Sequence, residues 1–293
     1  MGPIGFYIYY IFNWVIMLLP LPVLYVFSDF LFVILYYFPS YRKDIVSANL
    51  RNSFPEKSSE ELKSIERKFY RHLADLFVEI PKLAHLSKSQ IMKRATLTNP
   101  ELLQRLFNEG RDIAAVMAHY NNWEWLQSII YFSDYQTVSI YKPLQNRQFD
   151  RFMLQLREKR GMILTPMSKI IRTLLRLRKS DIRGIYSFIS DQTPPITELK
   201  YWTTFLNQDT PVYTGVEKVS IKYDLAVVFF NIQKIRRGYY TYTIELLFEH
   251  TAGLPENAIT GAHVKRLEEI IRAQPEYWIW SHRRWKHKRP AVQ

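Results

Sequence analysis

The sequence predicts an α/β domain, with a largely parallel central sheet flanked by helices, behind an N-terminal membrane helix. Two patterns predict it. From Gly110 onward short apolar runs alternate with longer amphipathic ones, as strands and crossover helices do in a layered domain. Before that, residues 1–40 hold one charged side chain, Asp29, and no Lys or Arg, although the 293-residue chain carries a formal net charge of +13. With 47% hydrophobic residues, nine glycines and fifteen prolines, the chain has ample material for a core and is neither disordered nor fibrous. The expected division is a membrane anchor over residues 1–40 and one catalytic-sized domain over residues 41–293. No repeat, low-complexity segment or linker interrupts the latter.

In chain order, Ile4 to Phe38 is nearly all apolar or aromatic, long enough as a helix to cross a hydrocarbon core of roughly 30 Å. Pro20 and Pro22 interrupt it. One reading is a spanning helix over Ile4 to Leu19 followed by an apolar helix in the interface; the other is a kinked pair held in one leaflet. A cleavable signal peptide would need a basic start and a small-residue cleavage site, and neither is present. The first basic residues, Arg42 and Lys43, follow directly, which places the basic domain on the cytoplasmic face. Lys57 to Leu86 repeats apolar residues at helical spacing, with Ser58 or Ser59 and Glu61 as an N-terminal cap and Pro81 as a bend or break.

The strand candidates are Asp112 to Met117, Thr137 to Tyr141, Met162 to Thr165, Gly184 to Ile189, Ala226 to Ile232 and Tyr239 to Phe248. The last two form an antiparallel hairpin around Arg236, Arg237 and Gly238. Helices are expected near Asn122 to Phe132, Arg147 to Arg160, Ser168 to Lys179, Val212 to Lys222 and Asn257 to Ala273. Active residues in such folds gather at the carboxyl ends of strands.

The first of these strands ends in His119, Tyr120, Asn121, Asn122, Trp123 and Glu124. A His at a strand end and a Glu five residues later can meet across a tight turn. The carboxylate then fixes the imidazole tautomer, while the other ring nitrogen removes a proton from a hydroxyl that attacks an acyl group. A satisfied structural histidine is the plainer alternative.

The chain has no cysteine, which excludes disulfides, thiolate metal sites and a Cys nucleophile. The other histidines show no metal spacing, there is no Gly-rich phosphate loop and no Gly-x-Ser-x-Gly elbow. No cofactor is expected. The basic surplus attracts anionic partners, whether anionic lipid, an acidic carrier protein or nucleic acid. Nucleic acid is set aside because no groove-reading motif accompanies the apolar N-terminus.

His119-x-x-Asn122-Trp123-Glu124 after an apolar strand resembles the signature of the lipid A biosynthesis acyltransferases, the lauroyl and myristoyl transferases within the wider glycerolipid acyltransferase group. Similar segments follow in order: Asn49-Leu50 with Phe54-Pro55-Glu56, Tyr141-Lys142-Pro143 with Asn146, Arg160-Gly161, Asp191-Gln192, and Pro275-Glu276 with Trp280 and His282 to Lys286. Lys142 stands where that family usually has Arg, and it offers a point charge in place of a two-pronged guanidinium.

The resemblance implies an inner-membrane enzyme, its active site at the cytoplasmic face, moving a fatty acyl chain from acyl carrier protein to a hydroxyl of a lipid A precursor. It implies His119 as general base and Glu124 as its orienting partner, with Asn122 and Trp123 shaping the turn. Asn122, Tyr141, Lys142, Arg160, Asp191 and Gln192 are the implied substrate-binding residues. For Asp191 a cap or turn residue before Thr193-Pro194-Pro195 is an equal reading. The basic tail from Ser281 to Arg289 is either solvated or a contact for headgroups or the carrier. The acceptor could instead be a lysophospholipid, an aminolipid or another anionic envelope lipid. A membrane-anchored binder without catalysis is the reading from a different class.

Overall fold

The computed structural model describes residues 14–38, 41–141 and 146–289. Helix α1 runs over Leu21–Tyr37, starting where Pro20 and Pro22 favour a helix N-terminus. α2 (Lys43–Ser53) and the long α3 (Ser59–Lys82) follow. Ser58 and Glu61 form the expected reciprocal cap: the Ser58 hydroxyl accepts from the Glu61 amide at 3.2 Å, and the Glu61 carboxylate accepts from the Ser58 amide at 2.8 Å. Pro81 sits in the last turn of α3, where the helix gives way to a 3₁₀ turn over Leu83–His85.

Then come α4 (Lys88–Met92), β1 (Ala95–Leu97), α5 (Pro100–Asn108), β2 (Ile113–Met117), a 3₁₀ segment over Trp123–Tyr131 and β3 (Gln136–Tyr141). They are followed by α6 (Arg147–Glu158), β4 (Ile163–Pro166), α7 (Ile170–Lys179), β5 (Gly184–Ile189), β6 (Tyr201–Phe205) and β7 (Gln208–Val212). The chain closes with α8 (Gly215–Tyr223), β8 (Ala226–Arg236), β9 (Tyr239–Phe248) and α9 (Ala258–Ala273).

Seven strands form one sheet in the order β1-β9-β8-β2-β5-β3-β4. β8, β2, β5, β3 and β4 are parallel; β9 pairs antiparallel with β8 and carries β1 at the edge. The α/β fold with a mostly parallel sheet between helices is therefore as expected, and the β8–β9 hairpin turns at Arg237 and Gly238. β2 is buried along its whole length. Its Ala114 and Val116 pack in one layer with Leu50, Phe69 and Tyr186, while Ile113, Ala115 and Met117 pack in the other with Trp125 and Phe230.

Three local expectations change. Trp123–Tyr131 is 3₁₀ rather than α, with the Gln127 amide donating to Glu124 at 2.8 Å across the three-residue spacing that this helix aligns. Val212 ends β7, so the helix expected from it starts at Gly215. The β6–β7 hairpin had no counterpart in the expected strands.

No helix among the described residues is long and apolar enough to cross a membrane. The expected N-terminal membrane helix is thus unsupported, and most of its first part, Ile4 to Asn13, lies outside the described residues. α1 instead lies antiparallel along α3, pairing the Tyr25 hydroxyl with Glu79 at 2.9 Å and Ser28 with Asp75 at 2.8 Å. It buries Leu21, Leu24, Ser28 and Phe32 and leaves Val26, Phe27, Phe30 and Val33 exposed.

α3 crosses the carboxyl edge of the sheet. Phe69, Tyr70 and Leu73 belong to one layer of the core, and Ile80 and the following Leu83 pack in the other. Between them Asp75 pairs with Lys234 and Arg237 at the tip of the β8–β9 hairpin. α1 rides on the outer side of this capping helix.

Candidate active site

His119 lies just past the carboxyl end of β2, and the backbone there turns sharply. Asn121 takes a left-handed conformation (φ 51°), its amide donates to the Tyr277 carbonyl at 2.9 Å, and its side chain donates to the Ile232 carbonyl at 2.8 Å. Asn is among the few residues that adopt this geometry readily. Asn122 is buried and donates to Glu79 at 2.7 Å, tying the turn to α3.

The partner of His119 comes from the neighbouring strand. Asp191 follows β5, which pairs directly with β2. The His119 Nδ1–H donates to Asp191 Oδ1 at 2.8 Å, and Asp191 Oδ2 accepts from the His119 amide at 2.9 Å and from Trp278 Nε1 at 2.9 Å. The Asp191 side chain is fully buried, whereas the imidazole is 18% exposed. Burial alone would push the Asp191 carboxyl up, but the charge and hydrogen bond of His119, with the Trp278 donor, hold it below the ordinary carboxylate range.

With Nδ1–H committed to Asp191, the Nε2 lone pair accepts from the Gln192 side-chain amide at 3.3 Å, the long bond that an incoming hydroxyl would replace. The Trp123 ring meets the imidazole edge-on, with ring centres 4.8 Å apart.

Glu124, the expected orienting partner, makes no hydrogen bond to His119. Its carboxylate is buried and ion-paired with Arg157, at 2.6 Å to Nη2, and it accepts from Gln127. Burial pushes the carboxyl up, but the Arg157 charge and hydrogen bonds overcome this and hold it low. Glu124 opens the 3₁₀ segment over Trp123–Tyr131, which packs in the layer of Met117 and Trp125, and the nearby His119 charge also helps to hold its carboxyl low. There it lines a cavity of about 30 Å³ with Met117, Leu126, Met162 and Phe230.

The remaining candidates divide. Asp191 and Gln192 join His119. Asn122 supports the turn from below. Arg160 donates to the Leu83 carbonyl and to the Tyr131 hydroxyl. Tyr141 ends β3, half-buried. Lys142 lies outside the described residues.

The C-terminal motif is a strap across this end of the sheet. Trp278 holds Asp191, Asn49 donates to the carbonyls of Trp280 (2.8 Å) and His282 (3.0 Å), and Thr193 donates to the Arg284 carbonyl at 2.6 Å. Arg284 is buried, donating to the Pro211 carbonyl, so that residue is neither solvated nor a headgroup contact. Sequence reasoning missed Trp278 as a site residue. Its only signal was its place among the C-terminal tryptophans.

Among the described residues no cluster of His, Asp or Glu could hold a metal ion. The arrangement at His119 is that of an imidazole base held by a buried carboxylate, the chemistry that removes a proton from a hydroxyl. No curated protein matches the chain. A model of the bacterial lipid A biosynthesis acyltransferases matches residues 2–287, nearly the whole length, and the chain belongs to that family.

Proposed function

We propose that this acyltransferase moves a fatty acyl chain from acyl carrier protein to a hydroxyl of a lipid A precursor, with His119 as general base and Asp191 as its orienting carboxylate. The observation that carries it is the 2.8 Å bond from His119 Nδ1 to a fully buried Asp191 carboxylate. That bond fixes the tautomer in which Nε2 accepts a proton.

As the acceptor hydroxyl approaches Nε2, its proton passes to the imidazole and its oxygen attacks the thioester carbonyl. Asp191 stabilises the imidazolium. When the tetrahedral intermediate collapses, the C–S bond breaks and His119 returns the proton to the departing thiolate sulfur. Gln192, whose amide donates to Nε2 at 3.3 Å in the free enzyme, gives up that bond when the hydroxyl binds and can then donate to the substrate. No covalent acyl-enzyme is needed.

The same reading puts the enzyme at the inner membrane with residues 41–293 on the cytoplasmic side. Its support is the exposed apolar face of α1 beyond the carboxyl edge of the sheet, together with the basic surplus, which favours phosphorylated lipid. Purified protein given a labelled acyl carrier donor and a lipid A precursor tests the chemistry. His119→Ala is expected to lower turnover by roughly 10² to 10⁴, and retained turnover removes the base assignment. The lipid A of a deletion strain tests the acceptor: it should lack one acyl chain. If lipid A is intact and another lipid loses a chain, the acceptor is that lipid.

A further inference from the structure

α7 is the crossover from β4 back to β5 and buries Ile170, Thr173, Leu174 and Leu177 against the sheet. Beside that buried face runs a second apolar row that nothing covers among the described residues. It consists of Met167, Ile171 and Leu175, spaced by four, each 39–49% exposed. At about 100° per residue this row borders a stripe formed by Lys169, Arg172, Arg176 and Lys179. Arg178, turned inward, pairs with Asp112 at 2.6 Å. The four outward cations have no carboxylate within ion-pairing distance among the described residues.

An apolar row edged by unpaired cations on one side is complementary to an acidic surface with an apolar centre. A bilayer fits it poorly. The exposed face of α1 lies beyond the carboxyl edge of the sheet, whereas α7, joining two parallel strands, runs back from that edge toward the opposite one. A membrane lying against α1 would therefore meet α7 end-on. The active-site end of α7 is also close to the chemistry. Met167 follows β4, three strand steps from β2 in the order β2-β5-β3-β4, which is about 14 Å at the usual strand spacing.

We propose that the apolar row and cation stripe of α7 dock an acidic carrier protein that presents the acyl donor to His119 as a thioester. This rests on the acyl-transfer reading above and assigns the face that receives the donor.

The test uses the full chain in neutral phosphatidylcholine nanodiscs, titrated with fluorescent acyl carrier protein and assayed with its acylated form. Arg172→Glu with Arg176→Glu, and separately Leu175→Ser, are expected to weaken carrier binding about tenfold or more. The KM for the acylated carrier should rise by a similar factor, with kcat at saturation unchanged. A charge-matched control, Lys63→Glu with Lys265→Glu, should leave binding within about twofold, since those exposed lysines lie on other helices. Carrier binding that is equal in wild type and α7 variants overturns the docking face and leaves the acyl-transfer reading standing. Variants that keep the carrier but lose anionic phosphatidylglycerol vesicles would make the face a lipid surface, which also overturns it. Wild-type transfer from another thioester with no carrier binding overturns the proposal together with the donor assignment. Absence of transfer from every donor removes the function itself.

Discussion

His119 and Asp191 are 72 residues apart in sequence and share a hydrogen bond because β2 and β5 are neighbours in parallel register, Met117 opposite Ile189. The histidine was legible from its place at the end of an apolar run. Its partner was not: Glu124 had the better sequence spacing, and strand order, which decides the matter, is a tertiary property. The two carboxylates therefore make opposed predictions. Asp191→Asn keeps the shape but loses the charge that stabilises the imidazolium, so kcat should fall by roughly 10² or more with little change in melting temperature. Glu124→Gln leaves the mostly buried Arg157 uncompensated, so the larger effect should be on stability, on the order of 3 kcal/mol. Activity and thermal melts of both purified variants decide. A stable but inactive Glu124→Gln beside an active Asp191→Asn would restore the short-range dyad.

Among elements, the strands and crossover helices were legible because an apolar run buried on both faces, as in β2, has few alternatives. The β6–β7 hairpin was not, since its strands carry Thr, Gln and Asp and its two-residue turn is Leu206-Asn207, without the glycine that usually marks one. Both turn residues are left-handed (φ 50° and 60°). Leu206 is held there by burial and by its amide donating to Glu268 at 3.1 Å. The seat of α1 was equally hidden, because it depends on polar groups in an apolar stretch. Glu79 accepts from Tyr25 of α1, from Tyr240 of β9 and from Asn122 of the turn after His119, joining three elements at one buried carboxylate. Burial pushes that carboxyl above its ordinary value against the pull of Lys234.

Gly238, at the hairpin tip beside Tyr25, has φ 71°, and a Cβ there would run into the Tyr25 hydroxyl. Gly238→Ala should therefore destabilise by about 1–3 kcal/mol and loosen α1 from the hairpin. Protease accessibility of residues 21–37 together with a thermal melt checks this. A variant as stable and as protected as wild type would mean that α1 is not held by this contact.

At the scale of the whole molecule, acid sensitivity follows from charge and burial together. His263, inside α9, is pushed by burial from 6.5 down to about 4. His72, inside α3, is pushed by burial, with a further push from the Lys234 charge, down to about 3. Both are neutral in the folded protein near pH 7. In the unfolded chain each takes up a proton as pH falls through 6.5, so folded stability is full above that pH and is lost progressively toward pH 4. Across its window His263 contributes on the order of 3 kcal/mol and His72, whose window reaches lower, on the order of 5 kcal/mol. Asp191 and Glu124, held low in the fold, act in the same direction below the ordinary carboxylate range, while Glu79, held high, opposes them. The chain gains positive charge throughout this range, and at +13 to begin with self-repulsion adds to the loss. The melting temperature of the wild type should therefore fall steadily from pH 7 to pH 4. His263→Leu removes one of the titrating groups and should flatten that slope between pH 6.5 and 4, whatever it does to stability at pH 7. Parallel curves for the two proteins would mean that His263 is not held neutral by the fold.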